Sequence, residues 1–241
     1  MLKNYGMLVA VLATAAITIA PVSAQTTRYV DTGGSDAAND CSASGTPCLT
    51  IDHALDEADA GDTIEVGAGT FTESVSFDKG VTLECAQADV NPSGRTAGGA
   101  AETVINPTGV YVFEIRTSNV TINGCDIDGA DTASTWAGVR IWNSGSASNP
   151  DDISSITIEN NFIRDVIDPN PAGVFNYAHG IWAIGGGSDG TRGSISGLTI
   201  DSNSIYGIGD GNDIGVAPSG TAGAGMYLKS IFGATAGAGA T

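Results

Sequence analysis

Four segments of the chain alternate apolar and polar residues in the same phase: VTLECA from Val81, VTINGC from Val120, ITIENN from Ile156 and LTIDSN from Leu198. Their starts are 39, 36 and 42 residues apart. A period of two predicts strands, and a repeat of this length predicts a stacked architecture. A second short strand follows at once in three units: DID (126–128), FIR (162–164) and SIY (204–206). A third follows a longer loop: GVRIW (138–142), GIWAI (180–184) and GMYLK (225–229). Three strands per unit in fixed order predict an all-β parallel β-helix, a solenoid with three strands per rung.

The alternation says what points inward. Val81/Leu83, Val120/Ile122, Ile156/Ile158 and Leu198/Ile200 form apolar stacks in the first strand. Ile127, Ile163 and Ile205 do so in the second, and Val139/Ile141, Ile181/Ala183 and Met226/Leu228 in the third. Thr82, Thr121, Thr157 and Thr199 form an exterior ladder, followed by a column of Glu84, Asn123, Glu159 and Asp201. Asn161 and Asn203 share one turn position, which Cys125 occupies a unit earlier. Stacked Asn side chains in a tight turn bond neighbouring backbone.

Outside the repeats, Ile51, Ala54, Leu55 and Ala58 recur at helical spacing, with Thr50 as N-cap and Gly61 as stop. A helix over 51–60 would cover the open end of the solenoid ahead of a strand over 63–66. Residues 25–80 thus read as an N-terminal capping module and 81–241 as rungs. At the other end the chain runs through IFGATAGAGAT with no further VTI-like strand, which reads as a truncation in mid-rung, with a disordered Gly/Ala tail as the alternative. An open rung there invites a partner or self-association.

Residues 1–24 read as a secretory signal peptide: Lys3, the apolar run Met7 to Ile19, and Val22-Ser23-Ala24 as cleavage site. The run is short for a membrane anchor, so the mature chain carries no span. The expected location is extracellular or at the cell surface. The chain has 9 Lys+Arg against 27 Asp+Glu, a net charge of −18. That excludes nucleic acid as a partner, because phosphate backbones need many cations. Among 4 Cys, Cys41 and Cys48 bracket a short loop and are expected to bridge; with 2 His and no CxxC pair, zinc has little support. Cys85 and Cys125 either bridge neighbouring rungs or pack as buried thiols.

The stretch 28–75 carries Tyr29-Val30, then Pro47 to Ala54, then Gly61 to Glu73 in GDTIEVGAGTFTE. It resembles the opening module of secreted right-handed parallel β-helix proteins of the pectin-lyase-like superfamily, and the later repeats resemble that group's rungs. The resemblance implies a right-handed solenoid. It also implies a carbohydrate groove outside the third strands, since the long loops 165–179 and 207–224 precede them. That superfamily holds lyases, hydrolases, epimerases and adhesins.

On that face Arg140, Trp182 and Tyr227 form one outward column, and Trp142, Ile184 and Lys229 the next. Aromatic faces and cations in line suit sugar stacking and acid pairing. Arg140, Trp142, Trp182 and Tyr227 are therefore the candidate ligand contacts, for a polysaccharide or cell-surface glycan. The alternative is an enzyme of the same fold, a polysaccharide lyase or glycoside hydrolase acting on acidic polysaccharide. Arg140, Asp165 and His179 are then the candidate catalytic residues; His179-Gly180 resembles a dipeptide of polygalacturonase-like enzymes. Lyases of the group hold calcium on acids of this strand face, yet this chain is expected to have no acid among its outward third-strand residues. Asp126, Asp128, Asp210 and Asp213 are the remaining candidate calcium ligands, supplied by the second strand and GDGND (209–213). Asp151-Asp152 lies in the turn before a first strand, on the other side of the rung.

Overall fold

The computed structural model describes residues 24–129, 135–143, 152–167, 178–185, 193–209, 224–229, 231–232 and 235–236. Residues 1–23 of the expected signal peptide and the acids Asp151, Asp210 and Asp213 lie outside the described residues.

The chain opens with β1 (Thr27–Val30) and α1 (Ile51–Glu57). Five rungs of three strands follow. The first is β2 (Thr63–Val66), β3 (Gly69–Thr72) and β4 (Val75–Phe77); the second β5 (Thr82–Glu84), β6 (Thr103–Asn106) and β7 (Tyr111–Ile115). The third is β8 (Val120–Asn123), β9 (Asp126–Asp128) and β10 (Ala137–Trp142). The fourth is β11 (Ile153–Glu159), β12 (Phe162–Arg164) and β13 (His179–Ile184). The fifth is β14 (Ile195–Asp201), β15 (Ser204–Tyr206) and β16 (Ala224–Lys229). First strands stack on β1 as sheet A, second strands as sheet B and third strands as sheet C. This is a parallel β-helix with three strands per rung and one capping helix.

The register matches the alternation. Thr63, Thr82, Thr121, Thr157 and Thr199 are successive partners, as are Ile64, Leu83, Ile122, Ile158 and Ile200. The isoleucine stack is buried and the threonines are half-exposed. Phe71, Ile105, Ile127, Ile163 and Ile205 line the inside of sheet B. Each fully buried side chain of this size contributes about 1.5–3 kcal/mol. Phe77, Ile115 and Ile141 continue the stack in sheet C; Leu228, at the same register position in β16, keeps 42 % exposure because no described strand covers it.

Two expectations about the ends are corrected. A further first strand does follow β16: β17 (Ile231–Phe232) and β18 (Thr235–Ala236) both pair with β14, with Thr235 opposite Thr199. And α1 stops at Glu57, because Ala58 is already extended while its N–H bonds the Leu55 carbonyl. Gly61, with φ +98, serves the turn into β2 instead.

The cap is held by charge as well as by Ile51, Ala54 and Leu55. The Glu73 carboxylate accepts from the Ile51 and Asp52 N–H groups, and Asp36 from those of Leu49 and Thr50. Lys79 Nζ donates to the carbonyls of Leu55, Asp56 and Ala58 at the far end of the helix. Asp62 joins the cap to β1, accepting from Thr26 N–H at 2.8 Å, Asp59 N–H at 3.0 Å and the Arg28 guanidinium. Burial pushes the Asp62 carboxyl up, but these bonds outweigh it and hold the group below the ordinary aspartate range. A depressed carboxyl adds stability above its unfolded pKa and loses it as pH falls through the folded one. Hydrogen-exchange protection factors at the Thr26 and Asp59 amides should therefore be steady above about pH 4 and fall below it. Asp62→Asn should flatten that dependence. Equal protection at pH 5 and pH 2 in the native chain would contradict it.

At the corner between sheets A and B the turn asparagines form the expected ladder. Asn161 Oδ1 accepts from Cys125 N–H and Asn203 Oδ1 from Asn161 N–H, at 2.9 and 3.0 Å. Their Nδ2 groups donate to the Ile122 and Ile158 carbonyls. Both side chains are buried, so each rung's turn is satisfied by the next. Cys41 bridges Cys48, and Cys85 bridges Cys125 with Cα atoms 5.0 Å apart.

Candidate functional site

A glycine column sets up the outer face of sheet C. Gly138, Gly180 and Gly225 occupy equivalent places. A Cβ on Gly180 would lie 2.5 Å from the Gly225 carbonyl oxygen and 2.6 Å from Ile205 Cγ2. One on Gly138 would lie 2.7 Å from Ile163 Cγ2. These positions face inward, and so do Val139 and Ile181 after them. Two inward residues in succession turn the preceding residue outward. Tyr111, Ala137 and His179 are partners in that outer column.

The next outer column is Ser76, Glu114, Arg140, Trp182 and Tyr227, in register across five rungs. Trp142 and Ile184 follow one pleat on, as the alternation predicts, and Lys229 is the register partner of Ile184 in β16. Glu114 corrects the expectation that this face lacks an acid. Its strand, β7, is the third strand of a rung whose second strand sits beyond a long loop.

Glu114 is buried and bridges two guanidiniums. Arg140 Nη1 meets Oε1 at 2.7 Å and Arg116 Nη2 meets Oε2 at 2.6 Å. Arg140 lies 3.8 Å from the Trp142 ring centroid, 4.5 Å from that of Tyr111 and 5.3 Å from that of Trp182. Burial pushes the Tyr111 hydroxyl above the ordinary phenol range and the Arg140 guanidinium below its own. Trp142 and Trp182 meet edge to face at 6.4 Å, and Tyr111 meets Trp136 at 6.2 Å. His179 lies 5.3 Å from Trp182 and stacks on Tyr227 at 5.4 Å and 27°. All three tryptophans of the chain thus gather at this face, with two tyrosines.

Exposure within the cluster is uneven. Trp182 keeps 9 %, whereas Tyr227 keeps 42 % and the Arg116 side chain 53 %. Trp136, Tyr111 and Trp142 are half-exposed. Tyr111, Glu114, Arg116 and Trp136 are the residues that sequence reasoning missed. The available signal was the inward alternation Phe113, Ile115 in YVFEIR, which fills the third-strand place before VTINGC.

The remaining candidates gather elsewhere. On sheet B, Arg164 meets Asp126 and Asp128 at 2.8 Å and Asp165 at 2.9 Å. Burial opposes the charge of Arg164, yet the bonds and charges of these three carboxylates hold its pKa above the ordinary value. Calcium needs six or more oxygens without a competing cation. Here a guanidinium already occupies the centre of the Asp126–Asp128 pair, so this donor set does not fit the metal. Asp152 Oδ1 accepts from the Ser194 N–H and hydroxyl, and so serves a turn before β11.

Sheet A presents Tyr29, Glu65, Glu84, Asn123, Glu159 and Asp201 as one column. Burial, and then the charges of Asp89 and Asp201, push the Glu159 carboxyl above the ordinary range. An open concavity of about 550 Å³ lies at the start of this column, lined by Tyr29, Asp31, Glu65 and Glu84. It is on a different sheet from the aromatic cluster.

No protein-family model, curated protein or solved structure matches this chain. Among the described residues, no helix is long and apolar enough to cross a membrane.

Proposed function

We propose that this chain is an exported or surface-displayed right-handed β-helix of the pectin-lyase-like kind, which binds glycan along the outer face of sheet C. The observation that carries this reading is the gathering of Trp136, Trp142, Trp182, Tyr111 and Tyr227 on one outer face. Sheets A and B turn threonines, acids and ion pairs outward instead. Aromatic patches at a rigid surface mark interaction sites, and their ring faces suit the apolar faces of sugars. The two disulfides accord with an oxidising compartment.

Binding is favoured over catalysis by the state of the acids. Glycoside hydrolysis needs two carboxylates, one protonated and one free to act. Glu114 is the one carboxylate in the described outward columns of sheet C, and two guanidiniums hold it. Asp165 serves Arg164, and His179 is packed between two rings.

The test is retention of the full chain on insoluble cellulose, chitin, xylan and polygalacturonate. At least one should retain it, with no release of reducing ends or unsaturated products. Tyr227→Ala and Trp142→Ala should each weaken retention about tenfold, near 1.4 kcal/mol. Trp182 is a poorer probe, because its burial couples any substitution to packing. Retention on none of the four, or retention indifferent to both substitutions, would overturn the reading.

A further inference from the structure

We infer that Arg140 and Glu114 are positioning residues of the sheet C platform: an internal strut that fixes the ring planes, with no contact to ligand. The inference rests on the binding reading above and reassigns Arg140 within it.

Arg140 is an outward residue by register, but not an accessible one. Its side chain keeps 12 % exposure and that of Glu114 10 %. The Nε of Arg140 is sealed from solvent and meets no acceptor among the described residues. Ring faces stand there instead, with the guanidinium carbon 3.8, 4.5 and 5.3 Å from three ring centroids. A planar, delocalised cation stacks on several rings at once, and an ammonium does not. Those rings come from three strands: Tyr111 from β7, Trp142 from β10 and Trp182 from β13. One guanidinium therefore ties three rungs together.

Glu114 fixes the strut from below. Its Oε1 takes Arg140 Nη1 at 2.7 Å, while Oε2 takes Arg116 Nε at 2.9 Å. A carboxylate held by two cations cannot follow a ligand without losing one of them. The groups left to meet a ligand are those at the surface, Tyr227 and the half-exposed rings.

Three variants of the full chain test this: Arg140→Lys, Glu114→Gln and Tyr227→Ala. Near-ultraviolet circular dichroism reads the order of the indoles, and far-ultraviolet dichroism checks the fold. Retention is read on whichever of the four polysaccharides holds the native chain. Arg140→Lys and Glu114→Gln should keep the far-ultraviolet spectrum, flatten the indole bands and weaken retention about tenfold. Tyr227→Ala should weaken retention with the indole bands unchanged. Weakened retention in Arg140→Lys with native indole bands would overturn the inference, since Arg140 would then touch ligand. Native bands together with native retention would also overturn it. Should Arg140→Lys fail to fold, Arg140→Met, which keeps the volume without the charge, is judged on the same spectra. If the native chain binds none of the four polysaccharides, the binding reading falls, while the indole bands still decide whether Arg140 orders the rings.

Discussion

Replacing Arg95 by alanine is expected to cost about 3–5 kcal/mol of stability, the usual penalty for stranding one member of a buried ion pair. Arg95 and Glu102 each keep only 2 % of their side chains exposed. The guanidinium sits on both carboxylate oxygens of Glu102. It also donates to the carbonyls of Val90, Gly124 and Asn160, and lies 4.9 Å from the Phe162 ring centroid. One side chain thus pins the loop 85–102 to the turns of the next two rungs. Removing it leaves a buried carboxylate without a counter-charge and takes the guanidinium donor from the part-buried Gly124 and Asn160 carbonyls. A loss of that size is a large part of the roughly 5–15 kcal/mol that a typical domain possesses. Urea unfolding of Arg95→Ala against the native chain measures it. Arg95→Lys should recover only part, because an ammonium cannot span Glu102 and both turns. Arg95→Met with Glu102→Leu should recover more, since no charge is then stranded. A loss below about 1 kcal/mol for Arg95→Ala would put this ion pair with exposed ones and refute the pinning role.

The same loop explains why part of the solenoid was not visible in the sequence. The strands after Val81, Val120, Ile156 and Leu198 were legible because one face is buried and the other is not. Their period of two survives in the residue pattern. In β6 all four residues, Thr103 to Asn106, are buried. The loop before it covers the outer side: Ala86 N–H bonds Thr103 Oγ1, and Gln87 Nε2 bonds the Ala101 carbonyl. With both faces covered, no alternation marks the strand, and the loop displaces it by about half a repeat. Once β6 is missed, β7 has no place in a rung, and Glu114 is not seen to stand beside Arg140. The ion pairs were hidden for a related reason. Asp126 and Arg164 are 38 residues apart and become neighbours only through the stacking register. The aromatic column was legible because it lies within the clean repeats. Its burial was not, because covering depends on what folds over a face.

Breaking the Cys85–Cys125 bridge is expected to cost more than breaking Cys41–Cys48, although both are buried in the same core. The sequence separations are 40 and 7 residues. Loop-closure entropy alone gives about 4 kcal/mol for the longer loop and about 2.5 kcal/mol for the shorter. Local contacts widen the difference. The Cys41–Cys48 loop keeps backbone bonds of its own, Tyr29 N–H to the Cys41 carbonyl and Cys48 N–H to the Tyr29 carbonyl. Cys85 and Cys125 join the second rung to the third at the corner where the asparagine ladder begins, with Asn161 bonding Cys125 N–H. The strands that carry Glu114 and Arg140 belong to those two rungs. Loosening this corner should therefore disturb the sheet C platform as well as the core. Cys85→Ala with Cys125→Ala should lower the urea midpoint further than Cys41→Ala with Cys48→Ala, and should also weaken the indole bands. An equal or larger loss from the short loop would show that local packing at the cap, and not the tie between rungs, governs the contribution of the disulfides.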